Sequence, residues 1–192
     1  MIKRNLNLIL FFIILICLFL LTFQNFVHSG FVVEDFVDSN VSITKYLAIE
    51  FSNNLSSGIY FGNVSVLPAI NLNSTGNNIG IGNSTEFYIN VSSDSNTNVD
   101  FCIKANSGLT SVALDEIVLG NETYANSTST NDSIPSLTND VALTTNYVSS
   151  GENILPGGIN YYRFWLDIPA SQPSGDYNNT LSFKGIQNGL SC

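Results

Sequence analysis

Tyr161-Tyr162-Arg163-Phe164-Trp165-Leu166-Asp167-Ile168 is the stretch on which the fold is decided. In an extended chain Tyr162, Phe164, Leu166 and Ile168 fall on one side, and Tyr161, Arg163, Trp165 and Asp167 on the other. Period two marks a strand with one buried face; a helix would space its apolar residues three and four apart. The same alternation recurs in Phe87–Val91, Val99–Lys104 and Thr180–Lys184. Phe31–Val37, Ser42–Phe51, Ile59–Leu67 and Val141–Val148 are further expected strands, giving about eight, with Gly, Asn, Ser and Pro between them. No amphipathic helix stands out, although Ser111–Leu119 has room for one helical turn. Many short strands with polar turns predict an all-β antiparallel sandwich. Its expected core holds Phe101, Ile103, Phe164, Leu166, Leu181 and Phe183.

Asn121–Asn139 is rich in Asn, Ser and Thr and has no sustained apolar run. It is expected as a long exposed loop, around residues 118–140, between two halves of one domain. Neither half has enough strands to close a core alone.

Upstream, Lys3 and Arg4 precede an almost unbroken apolar run, Leu8–Phe23, and Val27-His28-Ser29 places small or aliphatic residues before Gly30. This is the layout of a secretory signal peptide. The expected organisation is therefore a hydrophobic signal helix within 1–29 and a single β-sandwich domain over 30–192. An uncleaved signal anchor is the alternative, and in both cases Lys3 and Arg4 stay inside while the rest is exported. A pilin-type leader fits less well, because the run ends in Gln24-Asn25 and no long helix is expected after it.

Ten Asn-x-Ser/Thr triplets follow the leader, at Asn40, Asn54, Asn63, Asn73, Asn83, Asn90, Asn121, Asn126, Asn131 and Asn178. That is roughly double the number composition alone would place, and such triplets accept glycans only on a chain that leaves the cytosol. Asn90 shows how they fit a strand: Phe87, Ile89 and Val91 face one way and Asn90 the other, so a glycan there leaves the core intact.

All 15 acidic residues lie beyond Gly30, opposed there by Lys45, Lys104, Arg163 and Lys184. That balance disfavours nucleic acid and anionic membrane surfaces as partners. His28, the one His, sits at the leader boundary, so the exported part lacks the residue that His-based triads and common zinc sites need. A carboxylate pair or a Ser-Lys pair would survive this exclusion, but neither has a motif here. No catalytic, cofactor-binding or metal residue is assigned, and the chain is expected not to be an enzyme.

Cys17 lies in the leader, which leaves Cys102 and Cys192 as an even pair; an internal disulfide is expected, with a free or intermolecular Cys192 as the alternative. Asp94, Asn96, Asn98 and Asp100 put oxygen side chains at alternate positions, as a calcium loop of the EF type begins. Val99 stands where the turn glycine belongs and Ala105 where the closing Glu belongs, so an ordinary turn between strands is the preferred reading, with calcium left open. Lys45, Lys104 and Lys184 alternate away from the apolar faces and read as solvated rather than as partners of a covalent Lys–Asn bond.

From Tyr161 to Phe183 the chain has a strand ending at Pro169, a turn with Pro173 and Gly175, then Tyr177, Asn179, Leu181 and Phe183 on one side of a last strand. This resembles the closing strand pair of immunoglobulin-like domains in secreted bacterial and archaeal proteins, and the Asn-rich, Lys-poor background is similar to archaeal surface proteins. The buried Cys pair and Trp of antibody domains are not matched: Trp165 lies opposite Phe164 and Leu166, and Cys192 is terminal. The resemblance implies an extracellular immunoglobulin-like β-sandwich with a structural or adhesive role and carries over no catalytic residue. The expected protein is an exported, heavily N-glycosylated, non-catalytic component of the cell surface. Its expected partners are other surface proteins or copies of itself, with the membrane engaged only through an uncleaved leader. The alternatives are a filament subunit that donates Phe31–Val37 as a strand to its neighbour, or a module that binds surface glycans or a protein.

Overall fold

The computed structural model describes residues 2–26, 39–127 and 133–192, with side chains of the first helix placed over residues 9–21. The chain divides into two units, Met1–Ser42 and Ile43–Cys192. The first unit contains helix α1, Ile2–Phe26, whose described side chains are all apolar and exposed. Among the described residues no helix is long and apolar enough to cross a membrane. The cleavage signal at Val27-His28-Ser29 and the strand expected at Phe31–Val37 lie outside the described residues.

The second unit is all-β. Its strands are β1 (Ile49–Phe51), β2 (Ala69–Asn73), β3 (Phe87–Val91), β4 (Val99–Ala105), β5 (Leu109–Ser111), β6 (Glu116–Ile117), β7 (Glu122–Ser127), β8 (Val141–Ala142), β9 (Val148–Ile154), β10 (Ile159–Ile168), β11 (Tyr177–Asn178) and β12 (Leu181–Gln187). Among its described residues one short α-helix, α2 (Asn53–Ser57), is capped by the Ser52 hydroxyl, which accepts the Leu55 N–H. All pairings are antiparallel. One sheet runs β1-β3-β10-β7-β8, with β2 also on β10; a second is β12-β4-β9; a small third is β11-β5-β6. The chain passes between the first two sheets at β3–β4, β8–β9 and β9–β10, and enters or leaves the third at β4–β5, β6–β7, β10–β11 and β11–β12.

Side chains from the first two sheets make one core. Phe87, Ile89, Val91, Tyr124, Tyr162 and Phe164 come from the large sheet, and Val99, Phe101, Ile103, Ala105 and Ile154 from the second. The Phe183 ring of β12 meets Phe51 and Tyr162 of the large sheet edge-on at 5.5 and 5.4 Å between centroids, in the offset geometry aromatic pairs prefer. Phe101, Ile103, Phe164 and Leu166 are buried as expected, whereas Leu181 and Phe183 are half-buried against the cluster. Leu166 belongs to a smaller cluster with Leu109 and Ile117 beneath the third sheet.

The structure corrects several expectations. Ile59–Leu67 forms no strand; the pairing segment is β2, which follows Pro68. Only Ile49–Phe51 of Ser42–Phe51 is a strand, because the Tyr46 and Ala48 N–H groups donate to the Asn96 and Ser95 side chains instead of to a neighbouring ladder. Val141–Val148 contributes just two residues to β8 before the Thr144 hydroxyl closes a turn on the Asn146 carbonyl, and the longer strand β9 begins at Val148. Ser111–Leu119 holds no helical turn of its own. It is the end of the β5–β6 hairpin, with Leu114 at positive φ, and the 3₁₀ turn starts at Leu119.

A further correction is the loop around 118–140. Residues 128–132 lie outside the described residues, but within the loop Glu122–Ser127 is β7, paired on one side with β10 and on the other with β8. Tyr124 and Ala125 are its buried apolar residues, and Glu122 is buried beside them.

β10 also lacks the solvent face its alternation implies. Arg163 and Trp165, opposite the core residues Tyr162 and Phe164, are buried as well. The segment between β2 and β3 meets Arg163 through the Asn77 and Asn83 carbonyls, Pro135 meets it from elsewhere in the chain, and the Trp165 indole N–H donates to Asn73 of β2. Gly76 of the β2–β3 segment sits under the Phe87 ring, where a Cβ would come within 2.3 Å of Cζ, so any side chain would displace the segment.

Candidate functional site

Four features are candidates for functional chemistry: the Cys102–Cys192 bridge, the Asn-x-Ser/Thr triplets, the buried polar groups around β10 and β7, and an open cleft on the outer side of the large sheet.

Cys102 and Cys192 are bonded, with 2.07 Å between sulfurs and 5.8 Å between Cα atoms, as the elimination of Cys17 predicted. Cys102 is fully buried on the central strand of the second sheet. Asp100 holds the same tail two residues away. Its Oδ1 accepts the Asn188 amide at 2.8 Å and the Asn153 N–H at 2.7 Å, and its Oδ2 accepts the Gly189 N–H at 2.9 Å. Burial pushes the Asp100 carboxyl up, but these three donors outweigh it and hold its pKa below the usual value. Lys184 reaches the Cys192 carbonyl at 2.9 Å. Lys104 and Lys184 each lie 4.7 Å from the Tyr147 ring centre, so these two are cation–π partners rather than simply solvated side chains.

The calcium candidates diverge. Asn96 bridges Tyr46 N–H and the Thr44 carbonyl, Asn98 donates to Asn153, and Asp100 is committed to the tail. The Asp94 backbone N–H donates to Ser92 in the turn between β3 and β4. The chain uses these oxygens and amides to fasten segments, and among the described residues no group of three or more His, Cys, Asp or Glu is placed to hold a metal.

Of the triplet asparagines, Asn40, Asn63, Asn73, Asn83 and Asn178 are exposed, and Asn54, Asn90, Asn121 and Asn126 are half-buried. Asn131 lies outside the described residues. The fully buried asparagines, Asn77 and Asn160, belong to no triplet.

Buried polar residues were missed by the sequence reading. Arg163 donates through Nε to the Asn77 carbonyl at 3.0 Å, and through its two terminal nitrogens to the Asn83 and Pro135 carbonyls. A planar fork with several fixed donors suits three carbonyls from separate segments. Glu122 is 1% exposed; its Oε2 accepts from the Asn179 amide at 2.6 Å, and the same amide reaches the Ser107 carbonyl. Burial raises the Glu122 pKa to about 7, against the smaller opposing effect of Asn179. The signal for Arg163 was its rarity: one Arg beyond the leader, set in an apolar strand. Glu122 gave none.

The cleft has a volume of about 550 Å³ and lies between the turn entering α2 and the segment before β3. Ser52, Asn53 and Asn54 form one wall, Gly80, Ile81 and Ser84–Glu86 the other, with Tyr88, Tyr161 and Ser133 completing it. The walls are fixed. Ser52 donates from its hydroxyl to the Glu86 carbonyl at 2.7 Å and accepts the Tyr88 N–H at 3.2 Å. The Asn54 amide donates to the Glu86 carboxylate. Thr85 N–H donates to the Ser133 carbonyl at 2.9 Å. Tyr88 and Tyr161 are opposite residues on β3 and β10, with ring centres 5.9 Å apart. Polar walls around paired phenol rings can take a ligand that is itself part polar and part apolar.

Compared with known proteins, the chain matches no family model, and neither a curated protein nor a solved structure shows significant similarity to it.

Proposed function

We propose that this chain is an exported, N-glycosylated, non-catalytic protein of the cell surface, with an immunoglobulin-like β-sandwich as its structural or adhesive body. One observation carries the reading: the nine described triplet asparagines all have exposed surface, while among the described residues the asparagines with none, Asn77 and Asn160, lie outside triplets. An acceptor must be reachable by the transferase and must leave room for the sugar, so selection for glycosylation sorts asparagines in this way. The Cys102–Cys192 bridge supports the same compartment, since lasting disulfides belong to oxidising surroundings. Archaeal origin and a cleaved leader remain parts of the proposal. Intact mass and N-terminal sequencing of protein purified from its native membrane and surface fractions test it. Glycopeptides at several of the ten positions and a start at or near Gly30 are expected. A retained leader replaces the secreted form with an anchored one, and an unmodified mass equal to the bare chain defeats the reading.

The cleft favours a second reading, a binding module for a surface glycan or a protein. Electron microscopy of native material separates this from a self-assembling coat, which would give regular fibres or lattices.

A further inference from the structure

We propose that the cleft bounded by Asn54, Glu86, Tyr88, Tyr161 and Ser133 binds an uncharged sugar unit of a glycan. The lining itself selects that class. Tyr88 and Tyr161, both half-exposed, offer phenol faces and hydroxyls on adjacent strands, which suits the C–H face of a pyranose ring. Glu86 and Asn54 present a planar acceptor and donor already held in place by each other, so ordering them for a vicinal diol costs little. Ser84 and Ser133 add polar groups at the rim. The volume, about 550 Å³, is within the range of small-ligand sites.

Other ligand classes fit less well. Among the described lining residues there is no Lys, Arg or His, and the charge they carry is the Glu86 carboxylate, so phosphates, uronic acids and other anions are repelled. Lipid chains would have to cover the Glu86 carboxylate, which accepts from the Asn54 amide, and take it out of water.

The sugar has two possible sources. Asn54 and Asn83 begin triplets beside this cleft, so a glycan of this chain can fold back into it, and a glycan of another molecule can enter from outside. The first source rests on the glycoprotein reading above; the chemistry of the cleft does not.

The test uses full-length protein with its disulfide intact, made in a host that adds no glycans. It is titrated by two-dimensional NMR with maltotriose, mannotriose, galactobiose and chitotriose, and with trigalacturonate as the anionic control. At least one neutral sugar should bind with a Kd of about 1 mM or tighter. Its shifts should centre on Tyr88, Tyr161 and Glu86, and trigalacturonate should leave the spectrum unchanged. Tyr161→Ala should weaken binding about tenfold with the fold retained by circular dichroism. If no neutral sugar binds at 20-fold above that concentration (~20 mM), or if the shifts lie elsewhere, the proposal fails whatever the variants do. Repeating the titration on native protein assigns the source. A cleft already showing sugar contacts and refusing the probe is filled by the chain's own glycan, whereas unchanged binding means the ligand comes from another molecule. Failure here leaves the glycopeptide map, and the reading it tests, untouched.

Discussion

The side-chain amide of Asn77 pairs with both backbone groups of Phe164, donating from Nδ2 to the carbonyl at 2.7 Å and accepting the N–H at Oδ1, 2.9 Å away. It thereby acts as one residue of a missing strand. On that edge, β10 pairs with β3 from Ile159 to Tyr162 and with β2 from Trp165 onward, and Phe164 falls in the gap. The Phe164 carbonyl also accepts the Ser74 N–H at 3.1 Å, so the group left open without Asn77 is the buried Phe164 N–H, at about 1–3 kcal/mol. Asn77→Ala is therefore expected to lower unfolding free energy by about 1–3 kcal/mol in urea. Asn77→Asp should be worse at neutral pH, since it removes the donor and sets a charge against the Phe164 carbonyl. Near-wild-type stability of Asn77→Asp would show that the amide is not needed to close the gap.

Arg163 ties the same segment through the Asn77 and Asn83 carbonyls and joins it to the stretch before β8 through the Pro135 carbonyl. Arg163→Met keeps much of the apolar stem but leaves these acceptors without their donor, at about 3 kcal/mol. Arg163→Lys should recover less than half of that loss, because one ammonium cannot reach three separated carbonyls in a plane. Limited proteolysis provides the local readout: new cleavage is expected between residues 78 and 84 in both variants. A Lys variant as stable and as resistant as wild type would refute the three-way fork.

The parts of this fold that were legible are those where apolar alternation and burial coincide. β3, β4 and β10 carry Phe, Ile, Val or Tyr at every second position, and all three strands lie in paired sheets with those residues in the core. β7 was not legible, because in Glu122-Thr123-Tyr124-Ala125-Asn126-Ser127 the inward residues include a carboxylate whose partner, Asn179, lies far along the chain. The second buried face of β10 was equally hidden. It depends on other segments that meet Arg163 and Trp165, and a strand's own sequence cannot announce what will cover it. The disulfide followed from counting, since one thiol pair remained outside the leader. The cleft did not, because its walls come from residues near 53, 82, 133 and 161, brought together by sheet pairing rather than by any local motif.

The Cys102–Cys192 bridge closes a loop of 90 residues. Constraint of an unfolded chain by a loop of that length is worth about 4–5 kcal/mol in the chain-entropy model. Reduction, or Cys192→Ser, should lower stability by that order. It should also raise hydrogen exchange first in the tail from Asn188 onward, whose other anchors include Asp100, the Asn98 carbonyl and Lys184. Non-reducing peptide mapping should yield the linked Cys102–Cys192 peptide. Recovery of both as free thiols from air-exposed protein contradicts the bridge, and a Cys192–Cys192 peptide moves it between two copies.

Glu122 gives the protein a pH dependence opposite to that of a salt-bridged carboxylate. Its pKa is about 7 in the folded chain against an ordinary 4.5, so between those values the native state holds a proton that the unfolded state has lost. Stability from this group is complete below about pH 4.5 and falls as pH rises through 7, by about 3 kcal/mol in all. Asp100, held below the usual carboxylate value, acts in the opposite sense but only in more acid solution, so it does not mask the change between pH 5 and 8. Glu122→Gln keeps an acceptor for the Asn179 amide and removes the charge. The variant should match wild type near pH 5 and exceed it by about 2–3 kcal/mol at pH 8, with a flatter profile between. Urea unfolding of both proteins at pH 5, 6, 7 and 8 measures this directly. If wild type gains stability from pH 5 to 8, or Glu122→Gln loses stability at pH 8, the carboxylate is ionised in the folded protein and the buried acid–amide pair is not as described.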